Sequence, residues 1–335
     1  MPVIDRPKLD AREAHFRLPS HHAGLSLFLR YLAPVIPSPE PRIVLYVHGA
    51  TFPSALSIAH RFDGHSWRDD LVASTPGRST FTGSARSPTV TLKWASRPRT
   101  IRRSGALKTP AVSSSAPPAS FVRTVSRLSL IAHSWGTIVA GDFAGRCPAL
   151  VDRMVFFGPI TRRPPRTTPV RLPAWRLISV RDQWERFIAD VPPDEPPVLL
   201  KRHFAAWSEA YLEGDPESRS RSPAAVKTPS GAFQDILDAW AGELAYEPGL
   251  VRAPVAIIRG AWDGMCTDED ARWLFDALKG APLRRDIKIG AATHLMHLEA
   301  SRYALHREAQ TFLEGGEGPA TPGTQACPAL NARSK

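Results

Sequence analysis

Short apolar or alternating segments recur along the first half of the chain and predict β-strands. They cover His15 to Arg17, Leu25 to Tyr31, Ile43 to Val47 and Leu128 to Ile131. Alternation with a period of two is typical of a half-buried strand, and the last of these runs is too short for a helix. We therefore expect the chain to begin with several strands of one sheet.

Farther along, strands and helices are predicted to alternate. Apolar runs at Met154 to Phe157, Val255 to Ile258 and Ile287 to Ile289 predict three more strands, and helical stretches such as DEDARWLFDALKG lie between them. Such alternation is typical of a parallel sheet covered by helices. The predicted fold class is α/β, with a mostly parallel sheet and helices on both faces.

The pattern changes in the middle of the chain. Residues 161–250 hold amphipathic pieces such as DQWERFIADV, LLKRHFAAWSEAYLEG and FQDILDAWAGELA, which predict an inserted helical lid. Residues 1–73, 123–160 and 251–315 are then parts of the core. Residues 316–335 are rich in Gly, Pro and Ala without periodicity, so we expect a disordered tail there.

Composition places the chain among ordinary globular proteins. It has 335 residues, of which 43% are hydrophobic, so it is long enough to bury a large core. Its three cysteines have neither metal-ligand nor redox spacing, which argues against a disulfide-stabilised secreted protein. The N-terminus lacks a signal-peptide pattern, and no apolar run approaches the roughly 18 residues of a membrane-spanning helix. We therefore expect a soluble, cytoplasmic protein.

Ser134 is the strongest candidate for a nucleophile. It lies between the strand predicted at Leu128 to Ile131 and the helix-compatible segment TIVAGDFAG, with the small residues Ala132 and Gly136 two positions to either side. A tight strand-to-helix turn needs small neighbours, because it brings backbone segments close to the serine. Ala132 stands where glycine is usual, and such a string also occurs by chance. The alternative is therefore an ordinary turn serine.

A histidine and an aspartate follow predicted strands farther along the chain. His294 comes after the strand at Ile287 to Ile289, and Asp263 comes after the strand at Val255 to Ile258. A serine hydroxyl becomes a good nucleophile when a base takes its proton and a carboxylate orients that base. The alternative for His294, and for the nearby His297, is a loop or capping role. The alternative role for Asp263 is hydrogen bonding within its loop, near the start of the next helix.

These motifs, taken in order, resemble the serine hydrolases of the α/β-hydrolase superfamily. The resemblance covers about residues 25–72 and 125–315, and the family has its triad in the order Ser, Asp, His. It implies Ser134 as nucleophile, Asp263 as orienting acid and His294 as general base. It also implies acyl transfer to water through an acyl-enzyme, without a metal or an organic cofactor. The expected partner is a small-molecule substrate, an apolar acyl ester.

A loop after the third strand completes the resemblance. In the family, a His-Gly-x loop supplies one backbone N–H of the oxyanion hole, and the residue after the nucleophile supplies the other. The matching positions are His48-Gly49-Ala50-Thr51 and Trp135. The donors would be the N–H groups of Ala50 or Thr51 and of Trp135, while Gly49 permits close backbone approach. We expect His48 to pack beneath this loop and not to transfer protons.

Three other functions stay open. A catalytically impaired family member would act as a binder of a small molecule or a protein. A tryptophan next to the nucleophile, as at Trp135, also occurs in relatives similar to proline iminopeptidases, so an amidase is an alternative to an esterase. A nucleic-acid binder is suggested only by the net charge of +11, and no recognition motif accompanies that charge. We therefore expect no nucleic-acid partner, and the sequence indicates no particular oligomeric state.

The basic charge is concentrated in one segment. From Leu71 to Gly141 there is no Asp or Glu, but there are ten Lys and Arg residues. Residues 74–122 combine Arg, Ser, Thr and Pro without a clear period, in the place where the family has its fourth strand and a helix. We expect this segment to be irregular and the fourth strand to be disrupted.

Translation out of frame is our hypothesis for residues 74–122. The segment can be back-translated and read from the third base of each codon plus the first two bases of the next. Codon degeneracy then permits a reading that contains DAWALDFHGFGALSDRYPEM, with an alternating strand followed by a family-like GFG loop and SD. The alternative is a natural basic insertion.

Overall fold

Eight strands of the described residues form a mostly parallel sheet at the centre of the fold. The fold is described from a computed structural model for residues 8–19, 26–39, 42–74, 77–86, 127–164 and 170–315. Its strands are β1 (Glu13–Pro19), β2 (Ser26–Leu32), β3 (Arg42–Val47), β4 (Arg78–Arg86), β5 (Leu128–His133), β6 (Val151–Phe157), β9 (Val255–Gly260) and β10 (Arg284–Ile289). They lie in the order β1-β2-β4-β3-β5-β6-β9-β10. The pairs β1–β2 and β2–β4 are antiparallel, and all other pairs are parallel.

Helices cover both faces of this sheet, as predicted. Because side chains alternate along a strand, Ile131 packs on one face while Leu130 and Ala132 pack on the other. The first face is covered by α1 and α7, and the second by α2 and α6. The described helices are α1 (Trp67–Ser74), α2 (Trp135–Arg146), α3 (Val180–Ile188), α4 (Lys201–Glu213), α5 (Gly231–Trp240), α6 (Asp268–Ala277) and α7 (Arg302–Glu314).

Strand β4 is formed, contrary to the prediction from the sequence. Arg78–Arg86 pairs antiparallel with β2 and parallel with β3, so the prediction of an irregular segment with a disrupted fourth strand is wrong for these residues. Without β4, the facing backbone N–H and C=O groups of β2 and β3 would lack partners. Thr80, Phe81 and Thr82 are also residue types that strands favour. Residues 87–122 and the predicted tail at 316–335 lie outside the described residues.

The segment between β6 and β9 carries the predicted insertion, residues 161–250. It contains α3, α4 and α5, as the amphipathic pieces predicted. It also contains two antiparallel strands, β7 (Trp175–Ser179) and β8 (Ala225–Pro229), which they did not predict. The start of α3 is fixed by a capping box, in which the Ser179 hydroxyl accepts from the N–H of Asp182 at 3.1 Å.

The insertion packs on the core through a buried tryptophan. Trp207 of α4 has no exposed surface, and its indole N–H donates to the carbonyl oxygen of Leu56 at 2.9 Å. Its ring centroid lies 5.2 Å from that of Phe52 in the core and 5.2 Å from that of Phe187 in α3. The insertion is therefore held against the loop that follows β3.

Cys266 is free and buried. In the part of the chain described, no helix has both the length and the apolar composition needed to cross a bilayer.

Candidate active site

Ser134 stands in a strained turn between β5 and α2. Its φ of 54° and ψ of −125° lie outside the usual regions for a residue with a side chain. A Cβ added to Gly136 would lie 2.4 Å from the carbonyl oxygen of Val47, so only glycine fits two positions after the serine. Ala132 has no exposed surface, which explains why a small residue precedes the turn. A strained strand-to-helix turn between small neighbours is the geometry that a nucleophilic serine requires, and we call this turn the elbow.

His294 and Asp263 come together with Ser134 at the carboxyl ends of the strands. His294 Nε2 lies 2.8 Å from Ser134 Oγ, and His294 Nδ1 lies 3.0 and 3.1 Å from the two carboxylate oxygens of Asp263. Because a carboxylate accepts, Nδ1–H donates to Asp263 and Nε2 is left to accept from the serine hydroxyl. All three side chains are buried. The arrangement can move a proton from Ser134 to His294.

The loop after β9 fixes the carboxylate of Asp263. Its Oδ1 accepts from the backbone N–H groups of Met265 and Cys266, both at 2.9 Å. These bonds leave the carboxylate facing His294, so the orientation of the imidazole is determined by backbone geometry. Gly158, which the sequence analysis did not identify, has a φ of +51°. A Cβ there would lie 2.9 Å from His294 Nδ1, so this position must stay free of a side chain.

The loop after β3 lies against the turn at Ser134. A Cβ on Gly49 would lie 3.2 Å from the Cβ of Ser134, which shows how closely the backbone passes the serine. His48 Nδ1–H donates to the carbonyl oxygen of Gly49 at 2.7 Å. Within the described ranges, the backbone N–H groups of Ala50, Thr51 and Trp135 donate to no other protein group.

Two further histidines lie behind the elbow. His133 stacks on Phe157 with ring centroids 4.4 Å apart, and His297 lies 4.5 Å from His133. Burial, with the neighbouring imidazoles, lowers the pKa of both histidines well below the ordinary value. The neutral His133 donates from Nε2 to the carbonyl oxygen of His294 at 3.0 Å, which fixes that backbone. His297 lies in the short 3₁₀ turn Met296–Leu298, and the final helix begins at Arg302.

Glu299 also supports the histidine loop and was missed by sequence reasoning. One of its carboxylate oxygens accepts from the N–H of Thr293 at 3.0 Å, and the other accepts from the Thr293 hydroxyl. The side chain is completely buried, and burial raises the pKa of Glu299 to about 7. No sequence motif marks this residue.

The insertion adds two charged side chains near the site. The Asp190 carboxylate accepts from the N–H of Gly264 at 3.2 Å, and burial together with the charge of Asp263 raises the pKa of Asp190. Arg186 Nη1 donates to the hydroxyl of Thr51 in the loop after β3. Among the residues that the structure describes, no group of three or more His, Cys, Asp and Glu side chains could hold a metal ion.

Several solved structures share this architecture. The thioesterase domain of the curacin biosynthetic pathway is 14% identical, with a TM-score of 0.51 over 88% of this chain and 99% of its own. A 2-hydroxy-6-oxo-6-phenylhexa-2,4-dienoate hydrolase from Rhodococcus sp. strain RHA1 is 14% identical, with a TM-score of 0.51 over 90% and 98%. A haloalkane dehalogenase loop variant from Bradyrhizobium elkanii is 15% identical, with a TM-score of 0.52 over 90% and 97%.

Sequence comparison adds no relative. No protein-family model matches this chain, and no curated protein matches it either. Identities as low as those of the structural neighbours report on architecture alone. The strand order, the turn at Ser134 and the structural neighbours together show that the chain has the α/β-hydrolase fold.

Proposed function

We propose that this chain is a serine hydrolase that transfers the acyl group of an ester-like substrate to water. Ser134 is the nucleophile, His294 the general base and Asp263 the acid that orients it. The observation that carries the proposal is the continuous hydrogen-bonded chain, 2.8 Å from serine to histidine and 3.0 Å from histidine to aspartate. Distances of this size permit direct proton transfer.

The reaction follows from these roles. Ser134 Oγ attacks the carbonyl carbon while His294 Nε2 takes the hydroxyl proton, and Asp263 stabilises the imidazolium that forms. The C–O bond to the alcohol then breaks, and His294 returns the proton to the departing oxygen. A water molecule next attacks the acyl-enzyme, with His294 as base again, and releases the carboxylic acid and the free serine.

Stabilisation of the oxyanion is assigned to backbone donors. The N–H of Trp135 belongs to the first residue of α2, where the helix dipole adds positive potential. The N–H of Ala50 or Thr51 supplies the second donor from the loop that passes the serine. Freedom from other protein acceptors supports this assignment, since an oxyanion hole needs donors that are available before the reaction.

The choice of acyl transfer rests on the serine at the elbow. Two structural neighbours are named a thioesterase and a hydrolase, which supports hydrolytic chemistry, but a third is named a haloalkane dehalogenase. The fold therefore does not select the reaction, whereas an activated serine favours attack on a carbonyl group.

Covalent labelling tests the proposal. A fluorophosphonate probe is expected to label the wild-type protein and the control Ser129→Ala, which alters a serine on the strand leading to the elbow. It is expected to leave Ser134→Ala unlabelled. A panel of p-nitrophenyl esters and aminoacyl p-nitroanilides then separates esterase from amidase activity. If the folded wild-type protein takes up no probe and hydrolyses neither class, the chain is an impaired family member that acts as a binder.

A further inference from the structure

Helix α3 of the insertion brings a positive charge to the oxyanion loop. The guanidinium of Arg186 donates from Nη1 to the hydroxyl of Thr51, and its central carbon lies 5.7 Å from the ring centroid of Phe52. Thr51 and Phe52 lie two and three positions after Gly49, in the loop that begins at His48. The charge of Arg186 is therefore fixed beside the loop to which we assign an oxyanion donor.

No carboxylate of the described residues neutralises this charge. Two other partly buried arginines, by contrast, are paired with acids: Arg163 lies 2.5 Å from Asp270, and Arg259 lies 2.9 Å from Asp286. Arg186 forms no ion pair within 4.0 Å in the described parts of the chain. Asp190, the carboxylate whose charge acts on Arg186, lies beyond ion-pair distance of its guanidinium.

A second arginine acts on Arg186. Burial is the main cause that lowers the pKa of Arg186 to about 10, and the positive charge of Arg176 in β7 is the second cause. The Nε of Arg176 is buried without a hydrogen-bond partner among the described residues, and its guanidinium carbon lies 4.2 Å from the ring centroid of Phe233. Both arginines stay protonated at neutral pH, so two like charges share this region without an adjacent acid. Such a pair lowers the stability of the protein unless an anion binds between or beside the charges.

We propose that Arg186, assisted by Arg176, binds a carboxylate group at the end of the substrate that is remote from the scissile ester. The proposal rests on the function proposed for Ser134. Arginine suits this role, because its planar guanidinium forms paired hydrogen bonds with a carboxylate. The partly buried side chains of Trp135, Phe233 and Met265, which pack against an apolar cluster that contains Ile138 and Ile160, would contact the carbon chain between ester and carboxylate. The expected apolar acyl ester is thereby revised to one with an anionic end.

Matched substrates test this proposal. The p-nitrophenyl half esters of dicarboxylic acids, from succinic to suberic acid, are compared with neutral esters in which an isopropyl group replaces the carboxylate. For glutaric acid the neutral match is p-nitrophenyl 5-methylhexanoate. We expect kcat/KM of the wild-type protein to favour the half ester of the right length by about 10–100-fold, the worth of one to two charge-assisted hydrogen bonds.

Variants assign the preference to the arginine. Arg186→Gln keeps a donor for Thr51 but loses the charge, and is expected to abolish the preference by lowering kcat/KM of the half ester at least about tenfold more than kcat/KM of the neutral ester. Arg186→Lys is expected to keep part of the preference. Arg181→Gln, on the same helix with 86% of its side chain exposed, is the control and is expected to behave like the wild type. An equal loss for both ester classes in Arg186→Gln would assign the residue a structural role and overturn the proposal.

A binding measurement separates this proposal from the proposed function. Free dicarboxylates of the same lengths are titrated into folded Ser134→Ala by calorimetry, with the corresponding diols as controls. Dicarboxylate binding that is lost in the double variant with Arg186→Gln supports the subsite even if no ester is hydrolysed. If the wild-type protein hydrolyses neutral esters but neither prefers half esters nor binds dicarboxylates, the subsite is refuted and the proposed function stands.

Discussion

His294 Nε2 lies 2.8 Å from the Oγ of Ser134, although 160 positions separate the two residues in the chain. Strand β5 ends at the serine turn, and the loop after β10 carries the histidine. In a parallel sheet the carboxyl ends of all strands meet at one edge, so the fold brings these distant residues together. The contact therefore depends on how rigidly each of the two loops is held.

Replacement of the orienting acid should affect chemistry more than binding. Asp263→Asn keeps the size of the side chain but cannot enforce the Nδ1–H tautomer of His294. We expect kcat to fall by about 10³–10⁴-fold with a small change in KM, as happens when serine hydrolases lose this acid. Asp190→Asn is the control, because Asp190 is a second carboxylate near the same loop. A larger loss in Asp190→Asn than in Asp263→Asn would move the orienting role to Asp190.

Position 136, two residues after Ser134, should tolerate no side chain. A Cβ at Gly136 would lie 2.4 Å from the carbonyl oxygen of Val47, and backbone cannot move away as a flexible side chain can. We expect Gly136→Ala to lower the free energy of unfolding by about 1–3 kcal/mol and to abolish hydrolysis. Gly145→Ala, in the same helix, meets the Cβ of Leu250 at 3.3 Å and should stay within about 1 kcal/mol of the wild type. Urea denaturation gives the free energy of unfolding of both variants. Equal values for Gly136→Ala and Gly145→Ala would contradict a steric clash at position 136.

The strands of the core, and the nearness of Ser134, Asp263 and His294, could be predicted from the sequence because local patterns determine them. Strands such as Ile43 to Val47 are continuous apolar runs, and the structure extends this one by a single residue to Arg42–Val47. Ser134, Asp263 and His294 each follow a predicted strand, and a parallel sheet places such positions at one edge. The structure brings all three together at hydrogen-bonding distances.

The supporting residues could not be predicted, because their roles arise from tertiary contacts. Glu299 and Arg186 carry no motif, and their importance follows from which buried groups they meet. Gly158 is needed because His294 passes close to it, which only the fold reveals. Strand β4 was missed because its composition is polar, while its place is fixed by the unpaired edges of β2 and β3.

The insertion should depend on Trp207 for its position. This side chain is completely buried, stacks on Tyr211 with ring centroids 5.2 Å apart and donates to the carbonyl oxygen of Leu56. We expect Trp207→Ala to destabilise the protein by about 3–5 kcal/mol, the usual cost of removing a buried tryptophan. Trp175→Ala, in the same insertion but 47% exposed, should cost less than about 1 kcal/mol. Thermal and chemical unfolding measure both, and similar losses would mean that the insertion is not held at Trp207.

Glu299 should make stability depend on pH between 4.5 and 7. Burial raises the pKa of Glu299 from 4.5 to about 7, so the folded state holds this proton more tightly than the unfolded state does. The resulting stabilisation is complete below the unfolded-state pKa and is lost as the pH rises through the folded-state value. The loss amounts to roughly 3 kcal/mol.

A neutral substitute for Glu299 tests this dependence. Glu299→Gln resembles the protonated acid and can still accept from the N–H of Thr293, so it should remove most of the decline in stability over this pH range. Glu213→Gln, at an exposed position in α4, should leave the decline unchanged. Urea denaturation at half-unit pH steps gives the comparison. A decline that persists unchanged in Glu299→Gln would assign it to other groups.

Strand β4 buries polar side chains in the middle of the sheet. Arg78, Ser79, Thr80 and Thr82 are each at most 2% exposed. The hydroxyls of Thr80 and Thr82 have no hydrogen-bond partner among the residues described, and each unpaired hydroxyl costs about 1–3 kcal/mol. A strand between two others in an α/β sheet is usually apolar. The composition of β4 therefore fits the hypothesis that residues 74–122 are translated out of frame.

Sequencing of the gene tests this hypothesis directly. We expect the codons for Thr89-Val90-Thr91-Leu92-Lys93-Trp94 to read as DRYPEM when each new codon takes the third base of one codon and the first two of the next. Codons that cannot encode DRYPEM would establish a natural basic insertion.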